Sequence, residues 1–395
     1  MRLLFFNPEN DLALASNDPH YTPPASALQM AADLELLPLR WAGDGDFILL
    51  RDGSVIDNRA QPAPRNSSSS NPNFSSFTRH SSFSNPNSSF VTRHSSFSNP
   101  NSSLLTLHSS LSTILPWGWS PLLVRQLRDW GVPQELLPTE AELSDYRDYA
   151  SRATAVRLLS CLRDEWAKAF ADGRIVGEST WCTTESDVIE AIERYGSRAM
   201  LKAPWSGSGR GVHPVQQSPI SAKTQAWIRR TLERQGGVEV EPYYEKVQDL
   251  AFEFWAEAGG VRYEGLSIFE TTAGGVYAGN LVANEEEKER RLAQYVALAL
   301  VDEARERLEA LLSASGLPSW YNGPLGIDLM IVRNQGADIA DRPAYSLHPL
   351  VEINLRMTMG WVALQLKNKL PDDEMGVFCI SQQAGRYEAL LTENK

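Results

Sequence analysis

The chain has 395 residues, 42% of them hydrophobic and 22% charged, an ordinary globular composition with room for two or three domains. Its formal net charge of −12 argues against a general nucleic-acid binder, which needs a basic footprint, but not against a small anionic substrate held by local positive loops. Three scattered cysteines, Cys161, Cys182 and Cys379, without a CxxC pair indicate neither a zinc site nor a disulfide framework. No run of about 18 or more apolar residues indicates a membrane span, and "MRLLFFNPENDLALA" is too interrupted to read as a signal peptide, so a reducing cytoplasm is the expected compartment.

In chain order, "RLLFF" reads as a buried first strand closed by the turn-prone "NPEND". "ASALQMAADLELLPLRW" carries helical periodicity and a second short apolar run, which suggests an α/β layer. From 67 onward come three near-identical 14-residue units, 67–80, 81–94 and 95–108, rich in Ser, Asn and Pro. They offer little apolar surface to stack, so 67–112 reads as a disordered tandem-repeat insert without a catalytic part. His80, His94 and His108 recur at the same period; metal binding is the rarer use of such a tract.

Structure is expected to resume with "TILPW" as a strand, then a helix from Ser120-Pro121 to Gly131. Asp145–Phe170 reads as one long helical stretch carrying Arg152, Arg157, Arg163 and Lys168. A loop, a helix capped by Thr184 or Ser186 and closed by Gly196, and a strand ending at Lys202 follow. After Gly236 the period changes to two: "VEVEPYYEK", "LAFEFWAEA", "VRYEGLSIFETT" and "GVYAGNLV" read as antiparallel strands. A helical region over Glu285–Ala314 interrupts them; "GPLGIDLMIVRN" and "HPLVEINLRMT" are two more strands, and "GWVALQLKNKL" and the tail read as helical.

The stretch "AMLKAPWSGSGRGVHPV" carries the most chemistry. Pro204 to Gly211 is longer than a plain hairpin turn needs. Gly207, Gly209 and Gly211, interleaved with Ser206 and Ser208, allow several N–H groups to face one anion. Lys202 places a point charge at the base of the loop and Arg210 a second cation above it. The spacing is neither GxxxxGK[ST] nor GxGxxG. Further on, Asp328, Glu352 and Asn354 supply the hard oxygen ligands that Mg2+ prefers. Glu352, Asn354 and Arg356 alternate along one strand and so share a face. Plainer readings stand beside these: Lys202 as an edge-strand lysine, Glu352 and Asn354 as a solvated face, Glu241 and Asp249 as exposed strand residues, Trp205 as packing under the loop, and His213 and His348 as loop residues rather than a general base.

The ordered set of strand-lysine, Gly-rich loop, hinge "EPYYEKVQD", strand with Asp and strand with E-x-N-x-R resembles the ATP-grasp superfamily over roughly Glu178–Thr358. The resemblance implies an N-terminal Rossmann-like α/β domain (1–150, with the insert), a small central α/β subdomain (151–236), and a large subdomain with a C-terminal antiparallel sheet and helices (237–395). It implies that ATP is bound by Lys202, by the loop Ser206, Gly207, Ser208, Gly209 and Gly211, by Glu241 and the Pro242–Tyr243 backbone at adenine, and by Asp249 near the ribose. One or two Mg2+ ions would sit on Asp328, Glu352 and Asn354, with Arg356 and Arg210 as the catalytic cations. Arg152, Arg157 and Lys168 all stay open for a further upstream basic contact. The implied activity is a carboxylate–amine or carboxylate–thiol ligase acting on a small molecule or peptide end. A small-molecule kinase and a non-catalytic nucleotide-binding protein are the alternatives, no nucleic acid or membrane is involved, and a homodimer is left open.

Overall fold

The computed structural model describes residues 1–58, 111–207, 211–272, 275–334 and 343–393. Three sheets organise it. The first holds β1 (Arg2–Phe5), β2 (Phe47–Leu49), β3 (Val55–Asp57) and β4 (Thr113–Pro116) in the order β3-β2-β1-β4. β1 runs parallel to β2 and β4, while β2 and β3 are antiparallel. Leu3, Leu4 and Phe5 are all buried, the continuous apolar run of a strand covered on both faces. Helices α1 (Asn10–Ser16), α2 (Ala25–Asp33) and α3 (Pro121–Asp129) accompany it. The third begins as the sequence reads: Ser120 Oγ accepts from the Leu123 N–H, Pro121 takes the first helical position, and Gly131 follows at φ +80°.

The repeat units fall outside the described residues. The last two positions assigned to that insert do not belong to a disordered tract: Leu111 is buried in the core of the first sheet, and Ser112 Oγ hydrogen-bonds to the Met1 carbonyl at 3.0 Å.

The long helical stretch is three helices, α4 (Glu140–Tyr149), α5 (Arg152–Glu165) and α6 (Ala167–Ala171). Ser151 breaks it by capping α5 through the Ala153 N–H, and Trp166 breaks it again. The second sheet holds β5 (Thr180–Cys182), β6 (Ala199–Lys202), β7 (Val212–Val215) and β8 (Val238–Pro242) in the antiparallel order β5-β8-β6-β7, backed by α7 (Glu185–Arg194) and α8 (Ala222–Gln235). Thr184 closes a capping box with Asp187 at the start of α7.

The third sheet is the largest: β9 (Glu245–Glu257), β10 (Gly260–Thr271), β11 (Tyr277–Val282), β12 (Gly323–Arg333), β13 (Tyr345–Asn354), β14 (Gly376–Gln383) and β15 (Arg386–Glu393), ordered β13-β12-β9-β10-β11-β14-β15 and antiparallel throughout. The helical region over Glu285–Ala314 is two helices, α9 (Glu285–Leu292) and α10 (Leu298–Ala314), and α11 (Met359–Lys367) follows β13. The tail is not helical. β14 and β15 form a hairpin turned by Ala384 and Gly385, both at positive φ as a tight two-residue turn demands.

The observed architecture is the expected one: an α/β unit, a small sheet with helices on it, and a large antiparallel sheet. Two packing facts position the cleft. Leu158, Leu159 and Leu162 of α5, with Trp166, share the core of the third sheet, so 152–166 packs there although the sequence assigns it to the small subdomain. Leu4, Phe6 and Trp117 of the first unit share a core with Trp361, Val362 and Phe378 of the third. The ends of β1 and β4 are thereby brought up to the end of β13. Among the described residues no helix is long and apolar enough to cross a membrane.

Candidate functional site at the meeting of three sheets

Lys202 ends β6, an interior strand of the second sheet, so it is no edge-strand lysine. Only 5% of it is exposed. Its cross-strand partner on β8 is Glu239, and Glu241 faces Met200. Positions 239 and 241 are two apart, so both carboxylates point to the face that holds the lysine. Lys202 Nζ lies 2.9 Å from Glu241 Oε2 and 3.8 Å from Glu239 Oε1. Burial works against the ammonium charge, but Glu239 and Glu241 outweigh it and hold its pKa above the ordinary lysine value. Glu241 is pushed up to about 7 by burial, with Lys202 opposing and Glu239 adding to the rise.

Arg152 is the upstream basic residue that the sequence left unchosen. It opens α5 and is 4% exposed. Its Nη2 lies 2.6 Å from Glu352 Oε2 on β13, and its Nε lies 3.6 Å from Glu239 Oε2 on β8. Its Nη1 donates to the Ala203 carbonyl at 2.6 Å and to Ser206 Oγ at 2.7 Å, both in the glycine loop. One guanidinium therefore joins the small sheet, the large sheet and the loop, a use for which the planar five-donor fork of arginine suits it.

Ser208, Gly209 and Arg210 lie outside the described residues. The flanks show what the loop requires. A Cβ on Gly207 would stand 2.6 Å from Asp11 Oδ2, and one on Gly211 would stand 2.2 Å from the Ser206 Cβ. Close approach, rather than a positive φ, excludes side chains at both. Trp205 packs under the loop, with Nε1 donating to the Arg147 carbonyl at 2.8 Å and the Arg147 guanidinium 3.5 Å above its ring.

On the large sheet Asp328 and Glu352 are cross-strand partners, and Asn354 faces Gly326. Burial and the neighbouring charge of Glu352 raise the Asp328 carboxyl to about 7; the Asn354 side chain opposes this by hydrogen-bonding it. Two carboxylates and an amide pressed together are a hard-oxygen set, and a cation relieves their repulsion, so the set fits Mg2+. Among the described residues no group of three or more His, Cys, Asp or Glu side chains forms a metal cluster, so other ligands would come from phosphate oxygens and water. Arg356 pairs with Asp11 through two contacts, 2.9 and 3.0 Å, and burial, which lowers its pKa, is outweighed by Asp11, Glu352 and Asp328. Asn10, Asp11, Ser206, Glu352, Asn354 and Arg356 line one small pocket.

The other expected contacts divide. Asp249 is on the same sheet and its charge reaches Asp328, but its carboxylate is engaged by Lys246 at 2.5 Å and Thr271 at 2.9 Å. At the hinge, Pro242 has no N–H, and the Tyr243 N–H donates to the Arg198 carbonyl at 3.0 Å. The expected Pro242–Tyr243 backbone edge can thus offer a base carbonyls but no free N–H. Neither His213 nor His348 is in a loop: the first lies on β7, stacked on Trp227, and the second is wholly buried on β13.

Sequence reasoning passed over two charged residues that the structure brings to this place and left a third unchosen. Glu239 hid in a period-two strand pattern, where its alternation with Glu241 was the available signal. Asp11 sat in "NPEND", read as a turn; yet Asn7, Glu9 and Asn10 around it are buried, and Asn7 clamps the Gly118 backbone from both sides, at 2.8 and 3.3 Å. Arg152 was one of three candidates in a helix.

No protein-family model matches the chain, and none of the curated proteins matches it. Solved structures similar to it include the N5-carboxyaminoimidazole synthetase of Staphylococcus aureus complexed with ADP (13% identity, 74% of this chain and 78% of that chain, TM-score 0.42). They also include the N5-carboxyaminoimidazole ribonucleotide synthetase of Thermus thermophilus (14%, 71% and 69%, TM-score 0.39) and the biotin carboxylase domain of the Hydrogenobacter thermophilus 2-oxoglutarate carboxylase with MgADP (13%, 72% and 63%, TM-score 0.43). Likenesses this low carry no argument on activity or substrate; it is the chain's own three-sheet architecture and ordered motifs that resemble the ATP-grasp superfamily.

Proposed function

We propose that this chain is an ATP- and Mg2+-dependent ligase that joins a carboxylate to an amine or thiol through an acyl phosphate. Arg152 carries this reading: a buried guanidinium touches Glu239 beside Lys202, Ser206 of the glycine loop, and Glu352 of the Asp328 pair. Side chains far apart in the sequence therefore close around one place. Lys202 and Arg152 are buried there against Glu239, Glu241 and Glu352, two cations among three carboxylates. Buried charges are costly unless paired, and a polyphosphate is a further complement of the two cations.

In this reading Lys202 and Arg152 hold the phosphates from below and the loop closes over them, with Arg210 as an added clamp. Asp328, Glu352 and Asn354 would hold Mg2+, which neutralises phosphate charge when bound. A substrate carboxylate oxygen attacks the γ-phosphorus in line and ADP leaves. An amine or thiol then attacks the acyl carbon and releases phosphate. Arg356 faces the developing charge or the substrate acid. The chain's contribution is positioning and charge stabilisation, and no covalent protein nucleophile is required.

ADP release measured with candidate acids and amines tests this. A ligase needs both co-substrates, a kinase needs one acceptor, and a binding protein shows nucleotide affinity without turnover. Asp328→Asn and Glu352→Gln should each abolish Mg2+-dependent turnover; unchanged turnover and Mg·ATP affinity in both would remove the metal assignment.

A further inference from the structure

A second cavity lies apart from the cleft, between the first unit and the third sheet. Its volume is about 250 Å3. About 150 Å3 is enough to hold a benzene, so one ring with a short chain fits. The walls come from four separate places in the chain. Trp119 stands in the turn after β4, Glu135 in the helical turn Gln134–Leu136, Glu142 and Tyr146 on α4, and Trp320 and Tyr321 in the turn that leads into β12. Boundaries between units of a fold are a preferred place for small-molecule sites, whose walls are mostly apolar and aromatic.

The rings brace one another. Tyr146 and Tyr321 have centroids 5.8 Å apart, Tyr321 and Trp320 5.9 Å, and Tyr149 meets Trp320 edge-on at 6.0 Å. The two hydroxyls are spent within the protein. Tyr321 Oη donates to the Pro324 carbonyl at 2.7 Å; Tyr146 Oη donates to the Leu355 carbonyl and accepts from the Trp119 N–H at 3.3 Å. What the tyrosines leave to the cavity is therefore ring surface, and the half-buried Trp119 and Trp320 add theirs.

The charges at the rim have one sign. Glu135 is exposed, and Glu142 is pinned because its Oε2 accepts from the Thr139 N–H at 2.7 Å and from Thr139 Oγ1 at 2.8 Å. Among the described residues that line the cavity there is no Lys, Arg or His. An anion entering it would meet two carboxylates with nothing to offset them, whereas a cation is their complement. The negative faces of aromatic rings favour the same sign.

We propose that this cavity is a binding site for an organic ammonium carried on a small apolar body, of the arylalkylamine class. The apolar body lies among Trp119, Tyr146, Trp320 and Tyr321, and the ammonium lies at Glu135 and Glu142. The site is independent of the nucleotide reading above.

The full chain is titrated with 2-phenylethylammonium, 2-phenylethanol and 3-phenylpropionate, one ring carrying a positive, a neutral and a negative end, and binding is read by ligand-observed NMR at pH 7. The ammonium should bind about tenfold more tightly than the alcohol, and the carboxylate more weakly than either. The double variant Glu135→Gln, Glu142→Gln should bring the three affinities to within about threefold of one another. A glutamine at 142 still closes the capping box with Thr139, so α4 is kept. Trp320→Leu should weaken all three probes by about fivefold; if it does not fold, the double glutamine variant decides alone. Equal binding of the three probes to the native chain, or a preference for the ammonium that the double glutamine variant leaves unchanged, overturns the assignment. Binding of none of them overturns the site itself. Mg·ATP affinity of the double glutamine variant should stay within about twofold of native, as expected for separate sites; a tenfold loss would overturn their independence.

Discussion

Two largely buried polar clusters lie on the third sheet and its neighbours, and they are held together in different ways. The cleft cluster is Lys202, Arg152, Glu239, Glu241 and Glu352: two cations against three carboxylates, joined by ion pairs of 2.6, 2.9, 3.6 and 3.8 Å. The second cluster is Glu253, Ser267, Asn280, Lys288 and Thr358, all buried. There Asn280 donates to Ser267 at 2.7 Å, the Tyr277 hydroxyl donates to Asn280 at 2.6 Å, Lys288 donates to the Leu266 carbonyl at 2.6 Å, and Thr358 donates to Glu253 at 2.8 Å. Of the atoms in that set only Glu253 Oε1 is left over, against the first turn of α11. The second network is closed mostly by hydrogen bonds within one sheet and its helices, whereas the first is a set of ion pairs drawn from the small sheet, the large sheet and α5. The lesson is that burial of charge alone does not mark a site; charges gathered from separate elements into one place do.

The sharpest way to break that contrast is to remove the central cation of the cleft. Lys202→Met should lower Mg·ATP affinity by roughly a hundredfold, the scale of a lost charge-assisted bond in a buried site. Calorimetry that finds the affinity within about threefold of native would mean that the lysine only neutralises its glutamates. Arg152→Met should cost somewhat less affinity, roughly tenfold to thirtyfold, and should also destabilise the apo chain, because Glu239 and Glu352 are then left without their cation. A variant that loses stability but binds nucleotide normally would reassign Arg152 to the scaffold.

The hydrogen-bonded cluster should behave in the opposite way. Asn280→Ala removes the middle of the Tyr277–Asn280–Ser267 chain and should lower Tm by several degrees, on the basis of about 2–4 °C per kcal/mol for a unit of this size, with nucleotide affinity within about twofold of native. A large affinity loss there would erase the distinction between the clusters. The smallest expected effect concerns pH. Burial, with Asp328 adding and the Thr358 hydrogen bond opposing, raises Glu253 from 4.5 to about 8. A folded-state pKa above the unfolded one means that its contribution is full below about 4.5 and is lost as pH rises toward 8. Glu253→Gln should therefore gain Tm relative to native as pH is raised from 5 to 8. Parallel Tm curves would show that the carboxyl is ionised, or equally neutral, throughout.

Much of the site was legible because strands alternate. Glu352 and Asn354 on one face, and Asp328 opposite, follow from period two and from a costly set of polar side chains on an apolar strand; Arg356 was read onto the same strand but lies past its end at Asn354, in a bend where its N–H donates to the Asn354 carbonyl. The glycines of the loop were legible as a place where side chains are excluded, although at Gly207 and Gly211 the cause is crowding by Asp11 and Ser206 rather than backbone freedom. Arg152 was not legible, since a helix displays several basic residues with nothing local to say which one turns inward. The tail was misread as helix because its two strands become recognisable only once β11 offers an edge to β14. The second break in the long helical stretch, at Trp166, likewise needs its burial in the core to be seen.

The amino-acid order alone determined which residue types could carry charge to a phosphate and which strands could present them, because side-chain alternation and glycine spacing are properties of the local backbone. Tertiary structure decided the partners: that Arg152 meets Glu352, and that Asp11 meets Arg356. Those meetings depend on how three sheets pack, and Coulomb and hydrogen-bond energies act over ångströms in space, on which separation along the chain has no hold.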